Sequence, residues 1–430
     1  MANLKAITYG KFLEIFLGIF MLVFVVFPKW TTLVIIGIGV VVIIGYVKKH
    51  LKFKMHPFLL LFILLYVLYL IGLLFTENID VGLKYLEYKL SLLIFPILLG
   101  FRPKWNMSLG PAIGGLILGT YILTVYGLIL GFKCYFSSGS FLCLFSSSIS
   151  PTHHPTYLSV IVLIATVGAW VGWKKELFRY RLLWIIPFTV LSLVFQILLG
   201  SLAGVLFLGA VLLFVGVYLV YKNVGKWIAF VALLVFSFGG FLALKHAPQL
   251  KSDWLVLNFY SERYFKDPME FVRSRSYPMS GMEARVIMWT ISGQILSEHP
   301  MGVGTGNVDD YLGERLRKMG HDELADEKLN PHNQYLQTAV EIGIVGLLTF
   351  VLIIILGIFL SIKHRKWLLL ALILSLAFNC LFESMLQRQS GIVFYTFWIC
   401  LLLIPARIKQ IPEAKEAKDI DAIQDSLKME

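Results

Sequence analysis

Charge is scarce in this chain. Asp, Glu, Lys and Arg make up 15% of its 430 residues, while 58% are hydrophobic and the mean hydropathy is +0.79. An ordinary soluble domain carries about 25% charged residues, so that class is excluded. Acids are scarcer than bases, 26 against 38, for a formal charge of +12. Such an excess suggests nucleic acid only where it gathers on one surface. Here it sits in short loops between apolar runs, so it reads as membrane topology and not as a nucleic-acid footprint. No internal repeat is visible, nor the matched pair of broken helices found in many transporters. Ionisable residues are scarce in the middle of the apolar runs, which counts against a proton- or ion-coupled carrier. The first run, from Phe12, has no small-residue cleavage site and reads as a retained span.

What is present is a series of apolar runs long enough to cross a bilayer as helices. They are expected at Phe12–Phe27, Thr31–Val47, Pro57–Phe75, Val81–Gly100, Leu109–Leu130, Thr156–Trp173, Leu182–Leu199, Leu202–Tyr221, Trp227–Leu244, Tyr335–Ile362, Trp367–Phe382 and Ile392–Leu403. Lys84, Glu87 and Lys89 interrupt the fourth. Gly200-Ser201 makes a tight corner between the seventh and eighth. The expected fold is therefore an all-α integral membrane protein of about 12 transmembrane helices. Residues 1–244 hold nine spans, 245–334 form one long hydrophilic loop, 335–405 hold three spans and 406–430 form a tail.

Alternate loops carry Lys5 and Lys11, Lys48/Lys49/Lys52/Lys54, Arg102/Lys104, Lys174/Lys175/Arg179/Arg181, Lys222/Lys226 and Lys363/Arg365/Lys366. Glu176 is their only acid. The positive-inside rule puts these loops and both termini in the cytoplasm. The long loop then lies outside. Cys134 and Cys143 share an outer loop, where an oxidising compartment permits a disulfide or leaves two free thiols. Cys380 and Cys400 lie within spans as packing residues.

The polar chemistry gathers on the outer face. Val286, Trp289, Ile291 and Ile295 have roughly helical spacing, so this part of the loop is expected to form an amphipathic helix against the membrane or the bundle. Pro300 ends it. Gly302-Val303-Gly304-Thr305-Gly306-Asn307 follows. Its glycines permit a tight turn, and its backbone N–H groups either hold an anion or simply turn the chain. Asn330-Pro331-His332-Asn333 opens the next span. Asn330 suits an N-cap and Pro331 a first helical residue, which places His332 in the first turn. A helix N-terminus disfavours imidazolium, so His332 is expected to be neutral and able to accept a proton, beside N–H groups that suit an anionic substrate. Gly343 and Gly346 further along would allow close helix contact.

Arg263, Arg273, Arg275 and Arg285 precede the glycine turn. They either grip a lipid diphosphate bidentately or pair with Glu262, Glu270 and Glu283. His153-His154-Pro155-Thr156-Tyr157 opens the sixth span. Paired histidines suggest metal, but no convergent ligand spacing accompanies them, and an interfacial anchor fits better. Glu383 and Arg388 in the last outer loop either pair with each other or face the cavity of His332.

Arg285 and Trp289, then Glu298-His299-Pro300-Met301-Gly302-Val303-Gly304-Thr305-Gly306-Asn307, then His332-Asn333 with Gly343-Ile344-Val345-Gly346, resemble the signature of the O-antigen ligase and polymerase superfamily (WaaL/Wzy). The ligase motif runs His, then Asn, Ser or Gln, nine residues, then Gly-x-x-Gly, and it fits without a gap. The motif region covers Arg285–Gly346; the span pattern and the long loop extend the likeness over nearly the whole chain. The resemblance implies a metal-independent, inverting glycosyltransferase of the GT-C type in the bacterial inner membrane, without cofactors. It implies a glycan donor on undecaprenyl diphosphate, presented at the periplasmic face, and an acceptor hydroxyl on lipid A–core. Carried over, His332 activates the acceptor and Arg285 holds the diphosphate. Asn333, His154, Tyr157, Glu383 and Arg388 are supporting or acceptor-side candidates.

The sequence departs from that pattern at one place. Many relatives carry a Ser-Arg pair near the outer end of a middle helix, and its arginine also meets the diphosphate. The matching stretch here, Leu198-Leu199-Gly200-Ser201-Leu202, has leucine instead. Either Arg273 or Arg275 takes the role, or the donor is held differently. An O-antigen polymerase and a protein O-oligosaccharyltransferase share the same donor logic. A lipid-linked glycan transporter is the more distant alternative.

Overall fold

A backbone that crosses hydrocarbon must satisfy its own N–H and C=O groups, and a helix does so locally. The computed structural model follows that rule. It describes residues 2–103, 107–174, 181–228, 231, 233, 234, 267–275 and 281–404. The ninth expected span is largely outside these residues, as are Arg263 and the tail.

In chain order the elements are α1 (Ala2–Val26), α2 (Thr31–Val47), β1 (Leu51–Phe53), α3 (Leu60–Gly72), α4 (Ile79–Lys89), α5 (Ser91–Gly100), β2 (Phe101–Pro103), α6 (Gly110–Ser138), α7 (Pro155–Lys174), α8 (Arg181–Leu198) and α9 (Leu202–Asn223). Then come α10 (Pro268–Arg273), α11 (Gly281–Glu298), α12 (Val308–Lys318), α13 (Asp322–Asp326), α14 (Gln334–Lys363), α15 (Trp367–Asn379) and α16 (Gln389–Leu403). Among the described residues, six helical segments are long and apolar enough to cross a membrane, and four apolar helices are shorter. Every residue of α16 from Gly391 to Leu403 is buried, so this helix is an axis of the bundle. On α2, by contrast, Leu33, Ile36, Val40 and Ile43 are exposed, as a lipid-facing stripe requires. The short strands β1 and β2 pair antiparallel, Lys52 opposite Arg102. The charges of Arg102, Lys366 and His364 all bear on His56, so three of the basic loops share one end of the bundle.

The fourth expected span, Val81–Gly100, is not one helix. It divides at Leu90 into α4 and α5. A ten-residue helix such as α5 rises only about 15 Å. The division places Lys89, fully buried, between the bundle and the loop helices. The expectation that charge is missing from the interior is corrected here. Lys89 Nζ lies 3.2 Å from Glu341 Oε1 on α14, and both side chains are inaccessible. A buried pair persists only if its remaining donors and acceptors are satisfied. Lys89 also donates to Gln387 Oε1 at 2.9 Å and lies 4.5 Å from the Tyr69 ring centroid. Glu341 Oε2 accepts from Gln387 Nε2 at 2.7 Å and from Gln337 Nε2 at 3.2 Å.

The long loop builds its own small core. Phe271 and Val272 of α10, Ile287, Met288, Ile291 and Ile295 of α11, and Leu312 and Leu316 of α12 pack together with Val340 of α14. The buried face of α11 thus centres on 287/288/291/295: it keeps Ile291 and Ile295 of the expected face, while Ile287 and Met288 are buried more deeply than Val286 and Trp289, because α11 lies on α14 and α12 at once.

The glycine turn is a structural plug, so of its two readings the turn holds and the anion cradle does not. Helix α14 breaks at Ile342–Gly343, where Gly343 has φ +76°. The break orphans carbonyls that a continuous helix would use. Val303 N–H donates to Val340 O at 2.8 Å, Gly304 N–H to Glu341 O at 3.1 Å, and Ile344 N–H to Pro300 O at 3.0 Å. The same turn closes α3: Thr305 N–H donates to Gly72 O and Thr305 Oγ1 to Tyr69 O. The N–H groups of residues 302–305 are consumed in this way. Gly343 and Gly346 accordingly do not form one smooth helix face. A Cβ on Gly343 would lie 2.6 Å from the Met301 carbonyl carbon, at a φ that side chains rarely adopt. Gly343→Ala should therefore lower stability by about 2–4 kcal/mol, from backbone strain of about 1–3 kcal/mol plus the collision. Thermal unfolding in detergent measures this, with Gly209→Ala, where nothing lies within 4 Å of the added methyl, as the near-neutral control.

Candidate active site

His332 does not sit in the first turn of a helix. Its φ is +47°, and it precedes the cap. Asn333, not Asn330, caps α14: its Oδ1 accepts from Tyr335 N at 2.9 Å and Leu336 N at 3.1 Å. Asn330 Oδ1 instead accepts from the backbone N–H of His332 at 2.8 Å, an Asx turn that closes the tight bend. Ser384 Oγ donates to the same oxygen at 3.0 Å. Asn333 Nδ2 reaches Leu381 O at 3.2 Å. Both asparagines therefore pin the His332 bend to the loop between α15 and α16. With the first-turn placement goes the reason for expecting a helix terminus to keep the ring neutral.

That loop supplies the partner of the ring. His332 Nδ1 lies 3.3 Å from Glu383 Oε2. An Nδ1–H donated to the carboxylate leaves Nε2 as the free acceptor. Glu383 is nine-tenths shielded and also accepts from Ser384 N. Burial alone would push its carboxyl up. The hydrogen bond from His332 and the charges of His332, His154 and Arg285 outweigh burial and hold it below the ordinary carboxylate range. At His154 desolvation lowers the pKa first. The Glu383 carboxylate opposes that fall, and Arg388, His332 and Arg285 add to it.

These mutual influences place His332, Glu383, His154, Arg285 and Arg388 in one cluster. Helix α11 brings Arg285. Trp289, one turn on and on the same face, donates its indole N–H to Pro331 O at 2.9 Å, which holds α11 against the His332 bend. Arg285 itself reaches only Gly281 O, at 3.4 Å, and its buried Nε has no hydrogen-bond partner among the described residues. Glu383 pairs with His332 and not with Arg388.

Other candidates fall elsewhere. Arg275 lies 3.5 Å from Glu283, the pairing alternative, and stacks over Phe271. Arg273 is exposed at the end of α10. Tyr157 is buried and donates to Ser384 O at 3.2 Å, so it supports the loop that holds Glu383. His153 is fixed between Ser390 Oγ and Val25 O. Cys134 and Cys143 are joined by a disulfide, with Cα atoms 5.6 Å apart. Ser201 Oγ caps α9 through Gly204 N–H. The buried group of Lys89, Glu341, Gln337 and Gln387 was missed. Its signal was a single acid, Glu341, in a 30-residue apolar helix.

A bend that fixes one histidine on a carboxylate, with two arginines nearby that have no ion-pair partner among the described residues, suits proton removal beside an anion. Residues 187–351 match the family model for O-antigen ligase. This segment is an O-antigen ligase family domain. It runs from within α8, through the loop helices and Arg285, to beyond the Ile342–Gly343 break of α14. The O-antigen ligase match therefore contains His332 and Arg285; Glu383, His154 and Arg388 lie beyond it in sequence and meet it in space. No curated protein matches the chain. With this matched domain and its many apolar helices, it is a multi-pass membrane protein that carries a domain of the ligase and polymerase type.

Proposed function

We propose that this protein is an O-antigen ligase that moves a glycan from undecaprenyl diphosphate to a sugar hydroxyl of lipid A–core at the periplasmic face of the inner membrane. The observation that carries this reading is the His332–Glu383 contact beside two arginines, Arg285 and Arg388, that have no ion-pair partner among the described residues. Glu383 holds Nδ1, and Nε2 takes the proton from the acceptor hydroxyl. The acceptor oxygen bonds to the anomeric carbon as the bond to the diphosphate oxygen breaks, with inversion. Undecaprenyl diphosphate leaves with that electron pair.

Arg285, on α11, meets the growing negative charge. Arg388 supplies the second cation that Leu202 does not, because it stands in the cluster without an ion-pair partner among the described residues. It takes the place first given to Arg273 and Arg275. Preorganised cations of this kind stabilise a leaving group strongly because they need no reorganisation during the reaction. No step requires a metal or a cofactor in this scheme. The basic loops set the orientation, with both termini cytoplasmic and the long loop periplasmic.

Glu383 acts through His332 and is a positioning residue. Glu383→Gln should slow transfer at least about tenfold by releasing the imidazole tautomer. Its carboxyl is held low, so it stays ionised well into the acid range and its contribution is lost only as pH falls through that lowered value. The fold-loss should therefore be full between about pH 7 and 8, where the carboxyl is ionised and an imidazole base is mostly free of its extra proton. Equal rates for wild type and variant at about pH 8 would contradict the assignment.

Deletion of the gene tests the reaction class. The expected surface lipopolysaccharide is bare lipid A–core, with long polymer accumulating on the carrier lipid. Core bearing a single repeat unit would identify a polymerase instead. Normal lipopolysaccharide with underglycosylated proteins would indicate a protein O-oligosaccharyltransferase.

A further inference from the structure

Beside the cluster lies a polar cavity of about 480 Å³ that the scheme above does not use. It shares Arg388 with the cluster, and Asn330, which closes the His332 bend, forms part of its wall. Tyr85 and Tyr88 of α4 form an aromatic side, their rings 6.2 Å apart and edge to face. Gln337 and Gln387 also line it, directly over the buried Lys89–Glu341 pair.

Gln337 carries the argument. Its side chain is 2% exposed. Its Nε2 donates to Glu341 Oε2, which fixes the amide orientation and leaves Oε1 as the acceptor. That Oε1 is buried and has no hydrogen-bond partner among the described residues. A buried amide oxygen without a donor is costly, and a native fold keeps few of them. Gln387 differs: its amide is spent on Lys89 and Glu341. The ion pair thus acts as a rigid floor under Gln337, whose one unpartnered acceptor borders a cavity with an aromatic side, two cations, Arg388 and Lys328, and the Asp309 carboxyl.

We infer that this cavity is a sugar subsite: Gln337 Oε1 accepts a hydroxyl of a pyranose ring, Tyr88 covers an apolar ring face, and Arg388 joins the subsite to the reacting centre. The inference rests on the glycan-transfer reading and gives it a binding site. A hydroxyl-rich ring fits because it offers O–H donors at its edge and C–H groups on its face, which is what an amide oxygen beside tyrosines can read. The ring belongs either to the acceptor or to the donor glycan.

Binding to purified full-length protein in detergent separates these sources. Two water-soluble probes serve: core oligosaccharide released from lipid A, and repeat oligosaccharide released from the carrier lipid. Saturation-transfer NMR and titration of tryptophan fluorescence read affinity. One probe should bind wild type, with affinity falling at least tenfold in Gln337→Leu and several-fold in Tyr88→Ala. Core oligosaccharide as the sensitive probe makes this the acceptor subsite, and repeat oligosaccharide makes it the donor subsite. Affinity for both probes unchanged in the variants, or no binding to wild type, overturns the subsite. Tyr88 lies outside the buried network, so Tyr88→Ala decides the matter if Gln337→Leu does not fold. Transfer assayed in the same preparations keeps the two readings apart. Transfer with Gln337-independent binding sinks the subsite alone. Gln337-dependent binding without any transfer by wild type leaves a sugar site and sinks the ligase.

Discussion

His332→Ala should lower glycan transfer by about 10²- to 10⁴-fold, the usual contribution of a positioned general base. The protein should still fold and insert. His332 is partly exposed, with a side chain 26% accessible, and its positive φ is a strain that alanine inherits without needing the ring. The bend itself is held by backbone and asparagine contacts, namely His332 N to Asn330 Oδ1 and Trp289 Nε1 to Pro331 O. Purified variant, assayed with lipid-linked donor and lipid A–core, should also keep its thermal midpoint near that of wild type. Full activity would remove His332 from the chemistry. Loss of activity together with collapse of the fold would assign it a structural role instead.

Lys89→Met should be among the most destabilising single substitutions in the chain. It strands the Glu341 carboxylate among Gln337, Gln387 and apolar neighbours, and removing one partner of a buried pair costs about 3–5 kcal/mol. The thermal midpoint in detergent should fall sharply. Adding Glu341→Gln to Lys89→Met should restore most of the loss, because the amide carries no charge to desolvate and still hydrogen-bonds. That recovery separates a charge effect from a packing effect. A single variant that melts with wild type would show that the pair contributes nothing. A double variant no better than the single one would put the loss down to volume.

What was legible in the sequence depended on whether the signal ran along one element or between several. Apolar runs announce helices by length alone, so segments such as Gly110–Ser138 and Gln334–Lys363 were readable. His332 and Arg285 could be named as candidates because the residues that carry the resemblance, His332 with Gly343 and Arg285 with Trp289, lie close along the chain. Glu383 was visible as a candidate, but its pairing with His332 joins residues 51 positions apart. Lys89 and Glu341 are 252 positions apart, and nothing in either segment names the other. Local capping rules also misplaced His332. Asn330 and Asn333 are both good caps, and only the loop bearing Leu381 and Ser384 decides which one starts the helix. The glycine turn illustrates the same limit. Its composition permits an anion site or a plug, and the break in α14, whose carbonyls it satisfies, selects the plug.

These placements turn a lone histidine at a helix mouth into a dyad with Glu383, beside Arg285 and Arg388. The measurement that bears on this most directly is reconstituted transfer by the purified wild-type protein, supplied with glycan on undecaprenyl diphosphate and with lipid A–core. Glycosylated core and free undecaprenyl diphosphate should appear in equal amounts, with the new linkage inverted at the anomeric carbon. Intact donor after prolonged incubation, or glycan extended on the carrier lipid while lipid A–core stays bare, would contradict it.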